Sequence, residues 1–317
     1  MSESPLYSLV AGEGDGFMLG LAAGDTAGGA WDLGYSYITE QATVISYQLI
    51  EERALDRTGL VRSLRELDGG EDGEQVYRAE SPHFRTWLDR AAAGSIVPEQ
   101  EPSADAFARA APVGVAFRRD PDQLLDQAIS LGTMFHEDAA TVYSGIVAAA
   151  AVAASCFAQS GVDLIRAVEE AVAPAPDRLG GLGGANRLTQ SDAMFGRLAD
   201  AVGVVEGSEA LEVVGGDAGY PLQLALAGLL LAAPVMEIYH TPVEQAARVG
   251  GSQLGAFVGA MIGSRIGIRA WPWAFANDTW FAEIGRRLVR GPDETGDLPI
   301  PYAVEQHLMS GSAQGFH

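Results

Sequence analysis

The sequence predicts an all-α protein folded as one helical domain, and three observations carry that prediction. Helix-start signals recur along the whole chain, long uncharged runs rich in Ala and Gly suit buried helices, and few stretches alternate with the period of two that a half-buried strand requires. Ser81-Pro82 and Asp120-Pro121 each set a capping residue before a proline at the first helical position, where the missing amide costs nothing. Ser103 precedes an Ala-rich amphipathic run that ends at Phe117. Residues 139–158 and 218–236 carry no charge and read as helices buried on all sides. Thr241-Pro242-Val243-Glu244 is a further cap with the glutamate of a capping box. Asp278 or Thr279 opens a last helix through Arg290, with Arg286, Arg287 and Arg290 complementing its C-terminal dipole. The sum is about a dozen helices, in a domain over residues 1–300 followed by a polar tail at 301–317.

Composition narrows function. The chain has 317 residues, 42 acidic and 20 basic, for a net charge of −22. Every basic residue is Arg. Phosphate neutralisation over a nucleic acid needs a basic face, so no nucleic-acid partner is expected. Schiff-base and pyridoxal chemistry, like the usual P-loop, need a lysine. The charge also disfavours an anionic membrane surface. The two uncharged runs reach spanning length, but the first is mostly Ala and is flanked by Glu137, Asp138 and Asp163, and the second holds Pro221, Gln223 and Pro234; neither is expected to insert. Cys156 is the sole cysteine, which excludes an internal disulfide framework, and its helical surroundings make it a small core residue. Residues 1–5 lack the basic and apolar regions of a signal peptide, so the expected compartment is the cytoplasm. The Gly-rich loop 180–184 follows no strand, which argues against a dinucleotide fingerprint and for a flexible surface connection.

Four ordered segments resemble the ADP-ribosylglycohydrolase family. Gly20-Leu21-Ala22-Ala23-Gly24-Asp25-Thr26-Ala27-Gly28 is similar to that family's opening helix, and Asp32 falls where the family usually has a glutamate. Arg109-Ala110-Ala111-Pro112-Val113-Gly114 resembles its Arg-x-x-Pro-x-Gly segment. His136 precedes an Ala-rich helix, as a family histidine does. Gly250-Gly251-Ser252-Gln253-Leu254-Gly255 resembles the Gly-Gly-Asp-Thr-Asp-Thr signature. Gly259 and Gly263 beyond it, and Trp271-Pro272-Trp273 later, resemble the family's next helix and its Ile-Pro-x-x-Trp segment. The resemblance implies a compact helical bundle of that type and a two-metal hydrolase that cleaves the glycosidic bond of ADP-ribose. Two hard divalent ions need oxygen ligands, and a close pair can position water and stabilise developing charge.

The ligand positions depart from the family pattern. Ser252 and Leu254 replace the two signature aspartates, and Gly255 replaces a ligating threonine. The family's Thr-Asp-Asp-Thr element corresponds to Thr39-Glu40-Gln41-Ala42-Thr43, in a register ambiguous by one residue. In one register Thr39 and Glu40 keep ligand capacity and Gln41 replaces an aspartate; in the other, Gln41 and Ala42 replace both. Fewer anionic ligands weaken the hold on hard cations, and distant screened charges do not substitute for them. A degenerate metal site is therefore expected, with Thr39, Glu40 and Ser252 the remaining ligands if any, and no cofactor; magnesium or manganese enters only if a hydrolase with altered ligands survives.

Catalysis in that case would fall to Glu40 and Asp32. The candidate ligand cleft comprises Asp25, Thr39, Gln41, His136, Ser252 and Gln253, with ADP-ribose or a nucleotide-like small molecule as partner. Two have a plainer reading beside this one, Asp25 as a cap for backbone groups and His136 as a helix-end or core histidine, and the nearby Tyr35, Tyr37 and Tyr47 read either as the lining of a ligand pocket or as an aromatic core face. A third reading is a non-catalytic protein that acts through its surface.

Overall fold

The computed structural model describes residues 14–29, 34–68, 77, 80–185, 188, 191–216, 220–234, 240–268 and 277–290. These form α1 (Phe17–Gly28), α2 (Tyr37–Glu52), α3 (Arg57–Glu66), α4 (Pro82–Ala92), α5 (Asp105–Ala116), α6 (Pro121–Phe135), α7 (Ala139–Ser155), α8 (Gly161–Val172), α9 (Ala175–Arg178), α10 (Ser191–Ala201), α11 (Glu209–Val213), α12 (Pro221–Ala232), α13 (His240–Ile266) and α14 (Asp278–Arg290). Among the described residues the only β-type pairings are two isolated bridges, Glu99 with His136 and Asp138 with Gly183.

The Ala-rich α7 runs through the core and packs on α5, α6, α8, α12 and α13. Its small side chains let five neighbours approach, and its first turn is closed by Asp138, which accepts from the Thr141 amide at 2.8 Å and the Thr141 hydroxyl at 2.9 Å. α12 is buried from Leu224 to Ala232, and among the described residues no helix is long and apolar enough to cross a membrane. Cys156, at the end of α7, is buried with its Sγ 3.5 Å from the Val152 carbonyl, in keeping with a small core residue.

α1 and α13 make the most intimate pair. Glycines spaced by four on each helix face one another so closely that a Cβ on Gly24 would sit 1.9 Å from the Gly255 carbonyl oxygen, and one on Gly259 2.0 Å from that of Gly20. Backbone touches backbone, which fixes the height of Asp25 on α1 against Ser252 on α13. α13 itself is broken at Gly250 and Gly251, the latter at φ 64°, a conformation that glycine adopts without strain.

The caps at Ser81 and Asp120 form as expected, accepting from the amides of Phe84 and Gln123. Thr241 differs: α13 already includes His240, so Thr241-Pro242 lies within its first turn. The loop 180–184 lies at the surface but is tied down, because the Gly183 carbonyl accepts from the Ala139 amide at 2.9 Å and so satisfies one of the free donors at the start of α7. The segment Trp271-Pro272-Trp273 and the tail 301–317 lie outside the described residues.

Candidate functional site

A cleft of about 420 Å³ opens where the end of α1, the starts of α2 and α4, and the break in α13 meet. Its wall includes Asp25, Ser36, Tyr37, Ser81, Ser252 and Gln253. The geometry follows from local chain chemistry: Ser36 and Ser81 are the N-caps of α2 and α4, and the Gly250–Gly251 break turns the next residues of α13 toward them.

Asp25 is the first anchor of this wall. Only 1% exposed, it accepts from the Ser36 amide at 2.7 Å, the Ser36 hydroxyl at 2.7 Å, the Thr39 hydroxyl at 2.7 Å and the Thr39 amide at 3.3 Å. It thus caps the N-terminus of α2 from another helix, where the dipole favours an anion. Burial raises its pKa above the usual carboxylate value, and the four hydrogen bonds oppose that rise.

Asp105, at the start of α5, is the second anchor. It is 3% exposed and gathers donors from four elements. The Tyr37 hydroxyl donates at 2.5 Å, the Ser81 hydroxyl at 2.8 Å, the Gln253 amide at 3.3 Å and the Arg109 guanidinium at 3.2 Å. Burial pushes the Asp105 pKa up, but Arg109 and the neutral donors outweigh it, and the net direction is down. The same contact with the carboxylate adds to burial in holding the Tyr37 hydroxyl protonated far above its usual range.

Behind Asp105 lies a buried cation. Arg109 donates through Nε to the Gln41 side-chain oxygen, through Nη1 to His136 Nε2 at 3.2 Å and through Nη2 to Asp105. Its guanidinium carbon lies 4.0 Å from the Phe135 ring centroid and 5.7 Å from that of Phe84, so aromatic faces complete its surroundings. Burial lowers the Arg109 pKa, and Asp105 counters it. Because a guanidinium has donors only, His136 Nε2 must accept and Nδ1 must carry the ring proton. Burial first, and then Arg109, depress the His136 pKa to about 3, so the ring is neutral across the physiological range.

The residues singled out in the sequence fall into three groups. Asp25, Thr39 and Ser252 come together, the Ser252 hydroxyl donating to the Asp25 carbonyl at 3.0 Å. Gln253 joins Tyr37 and Asp105. Gln41 and His136 meet only through Arg109, in the interior and away from the cleft wall. Glu40 is buried on the first turn of α2 outside the cleft lining, and its charge is felt by Tyr77, whose pKa burial and Glu40 both raise. Asp32 lies outside the described residues. Tyr35 and Tyr37 line the cleft, whereas Tyr47 faces a separate recess between α2 and α3. Sequence reasoning missed Asp105 as a hub and Arg109 as its partner. The available signal was their spacing, an acid four residues before an arginine on one helix face.

The whole defines an all-α protein with a small cleft at converging helix starts, backed by two buried carboxylates and a buried guanidinium. The ADP-ribosylglycohydrolase family model matches residues 14–297, and the chain belongs to that family. A solved structure described as an "ADP-ribosylglycohydrolase-related protein complex" superposes with a TM-score of 0.65 at 20% identity, covering 88% of this chain and 98% of that one, a likeness of fold. No curated protein matches the chain.

Proposed function

We propose that this protein keeps the cleft of the ADP-ribosylglycohydrolase fold but not its dinuclear metal centre, and that it binds ADP-ribose or a related nucleotide-like ligand without metal-dependent hydrolysis. The observation that carries this reading is the engagement of Gln41 by Arg109. Where the family element calls for a carboxylate facing a metal, a neutral oxygen here faces a fixed positive charge.

The neighbouring positions support it. Leu254 is buried and apolar. The Thr39 and Ser252 hydroxyls are each committed to Asp25, one to its carboxylate and one to its backbone carbonyl. Among the described residues no group of three or more His, Cys, Asp or Glu side chains is arranged to hold an ion. These residues do not fit a pair of hard divalent cations, which take several oxygen ligands each. The alternative of a hydrolase with altered ligands would draw on Glu40, Asp25, Asp32 and Ser252; of these, Asp25 already accepts four hydrogen bonds and Ser252 donates to its carbonyl, while Asp32 lies outside the described residues.

Isothermal titration with ADP-ribose, with and without magnesium, tests the reading alongside an assay for ADP-ribose release from modified arginine or serine with manganese. The expected outcome is binding that magnesium does not change, and no release. Tight magnesium binding at two sites with turnover would overturn it.

A further inference from the structure

We infer that Gln253 reads a hydrogen-bond donor on the ligand through its side-chain oxygen, and that Asp105 is the positioning residue that turns this oxygen to the cleft. This rests on the cleft being the ligand site proposed above.

Asp105 is itself held from behind. Its Oδ2 accepts from Arg109 at 3.2 Å and from Ser81 at 2.8 Å. Its Oδ1 serves the two residues at the cleft, Tyr37 at 2.5 Å and Gln253 at 3.3 Å. The Tyr37 hydroxyl spends its single proton on that oxygen, so toward Gln253 it can only accept, and Gln253 Nε2 lies 3.2 Å from it. The end of the Gln253 side chain therefore meets two acceptors standing side by side. Turning the amide over would set Oε1 against a carboxylate oxygen and a hydroxyl lone pair, with no proton to share. The two acceptors select the nitrogen, whichever amide proton serves them.

Oxygen and nitrogen are separate branches of one planar amide, so fixing the nitrogen fixes the oxygen. A Cβ on Gly251 would stand 3.6 Å from Gln253 Oε1, which places that oxygen beside the glycine of the α13 break. Gly251 and Gln253 both line the cleft, and Gln253 is half-buried. Among the described residues the Gln253 side chain is hydrogen-bonded through Nε2 alone. An amide oxygen accepts and does not donate, so what it engages is an O–H or N–H of the ligand. ADP-ribose carries both kinds, in its ribose hydroxyls and in the adenine amine. Donors elsewhere in the wall do not change what this one atom can take.

The test is isothermal titration of the full-length protein with ADP-ribose, with analogues each lacking one hydroxyl of either ribose, and with the hypoxanthine analogue, in which an oxygen replaces the adenine amine. At least one analogue is expected to bind about tenfold more weakly than ADP-ribose, the size of one lost hydrogen bond. A deoxy analogue identifies a hydroxyl as the donor, and the hypoxanthine analogue identifies the amine. Gln253→Met should bring that analogue to within about threefold of ADP-ribose. In Asp105→Asn, Arg109 and Ser81 still claim the oxygen of the replacement amide, so its nitrogen takes the place of Oδ1 and faces Tyr37 and Gln253. The Gln253 amide then turns its oxygen inward, and the same preference is lost although Gln253 is present. Adding Asp105→Asn to Gln253→Met should leave the discrimination where Gln253→Met put it, as a positioning role requires. Thermal melts establish that each variant is folded, and Tyr37→Phe, which removes one of the two acceptors and should weaken the same preference, stands in if Asp105→Asn does not fold. ADP-ribose bound with no analogue more than about threefold weaker, preferences that all survive Gln253→Met, or a preference that folded Asp105→Asn leaves intact overturns the inference while leaving the cleft a ligand site. Absence of ADP-ribose binding overturns the ligand-binding reading itself, and this inference with it.

Discussion

Replacing Arg109 by methionine removes the one cation that balances Asp105. The side chains are 4% and 3% exposed, so solvent cannot step in to screen the change. Removing one partner of a buried ion pair typically costs about 3–5 kcal/mol, because the other charge is left uncompensated. Here Asp105 would keep three neutral donors, from Tyr37, Ser81 and Gln253, which places the expected cost near the lower end, about 3 kcal/mol. Methionine fills much of the volume between Phe84 and Phe135, so a cavity adds little. The double variant Arg109→Met, Asp105→Asn removes both charges and should recover at least about 1 kcal/mol relative to the sum of the single effects. Urea unfolding followed by circular dichroism measures all four proteins. A cost below about 1 kcal/mol for Arg109→Met, or strict additivity in the cycle, would refute the view that these two residues balance each other's buried charge.

Two further outcomes are expected. With a folded-state pKa of about 3 against 6.5 in the unfolded chain, His136 resists a proton that unfolding would let it accept, so stability is complete above pH 6.5 and falls as pH drops from there toward 3, by up to about 5 kcal/mol from this group. Asp25, whose pKa burial raises, opposes the loss at the acid end. Unfolding curves at several pH values should show a slope that His136→Gln flattens, and an unchanged slope would count against the neutral buried ring. Gly24→Ala forces a Cβ to 1.9 Å from a backbone oxygen of Gly255, which neither helix can yield without separating. It should cost about 3 kcal/mol or more in a thermal or urea melt, at the top of the range for overpacking, whereas Gly196→Ala, open on the surface of α10, should gain up to about 1 kcal/mol.

What the sequence made legible was local. Ser81-Pro82 and Asp120-Pro121 announce helix starts because cap and proline are adjacent, and the structure forms both. The uncharged run from Ala139 to Ser155 declares burial because a helix without a polar face has nowhere else to go. The four-residue spacing of Gly16, Gly20 and Gly24 could be read as a close-packing stripe, though its partner could not, since Gly255, Gly259 and Gly263 lie more than two hundred residues away. The hub at Asp105 was illegible for the same reason. Its donors come from positions 37, 81, 109 and 253, and no window of sequence brings them together. The Gln41 substitution could be read as a lost ligand, but the guanidinium that engages its oxygen could not.

The interior solves the problem of buried negative charge in two ways. Asp25 is held by hydroxyls and by the amides at the start of a helix, all dipoles, and needs no counter-ion close by. Asp105 is held by a full cation fixed on its own helix. That cation also reaches Gln41. With a permanent internal cation in contact with this position, a neutral glutamine accepts from the Arg109 Nε and adds no net charge. The net charge of −22 does not alter that balance. At these distances the nearest groups decide, and next to Gln41 the nearest charge is positive.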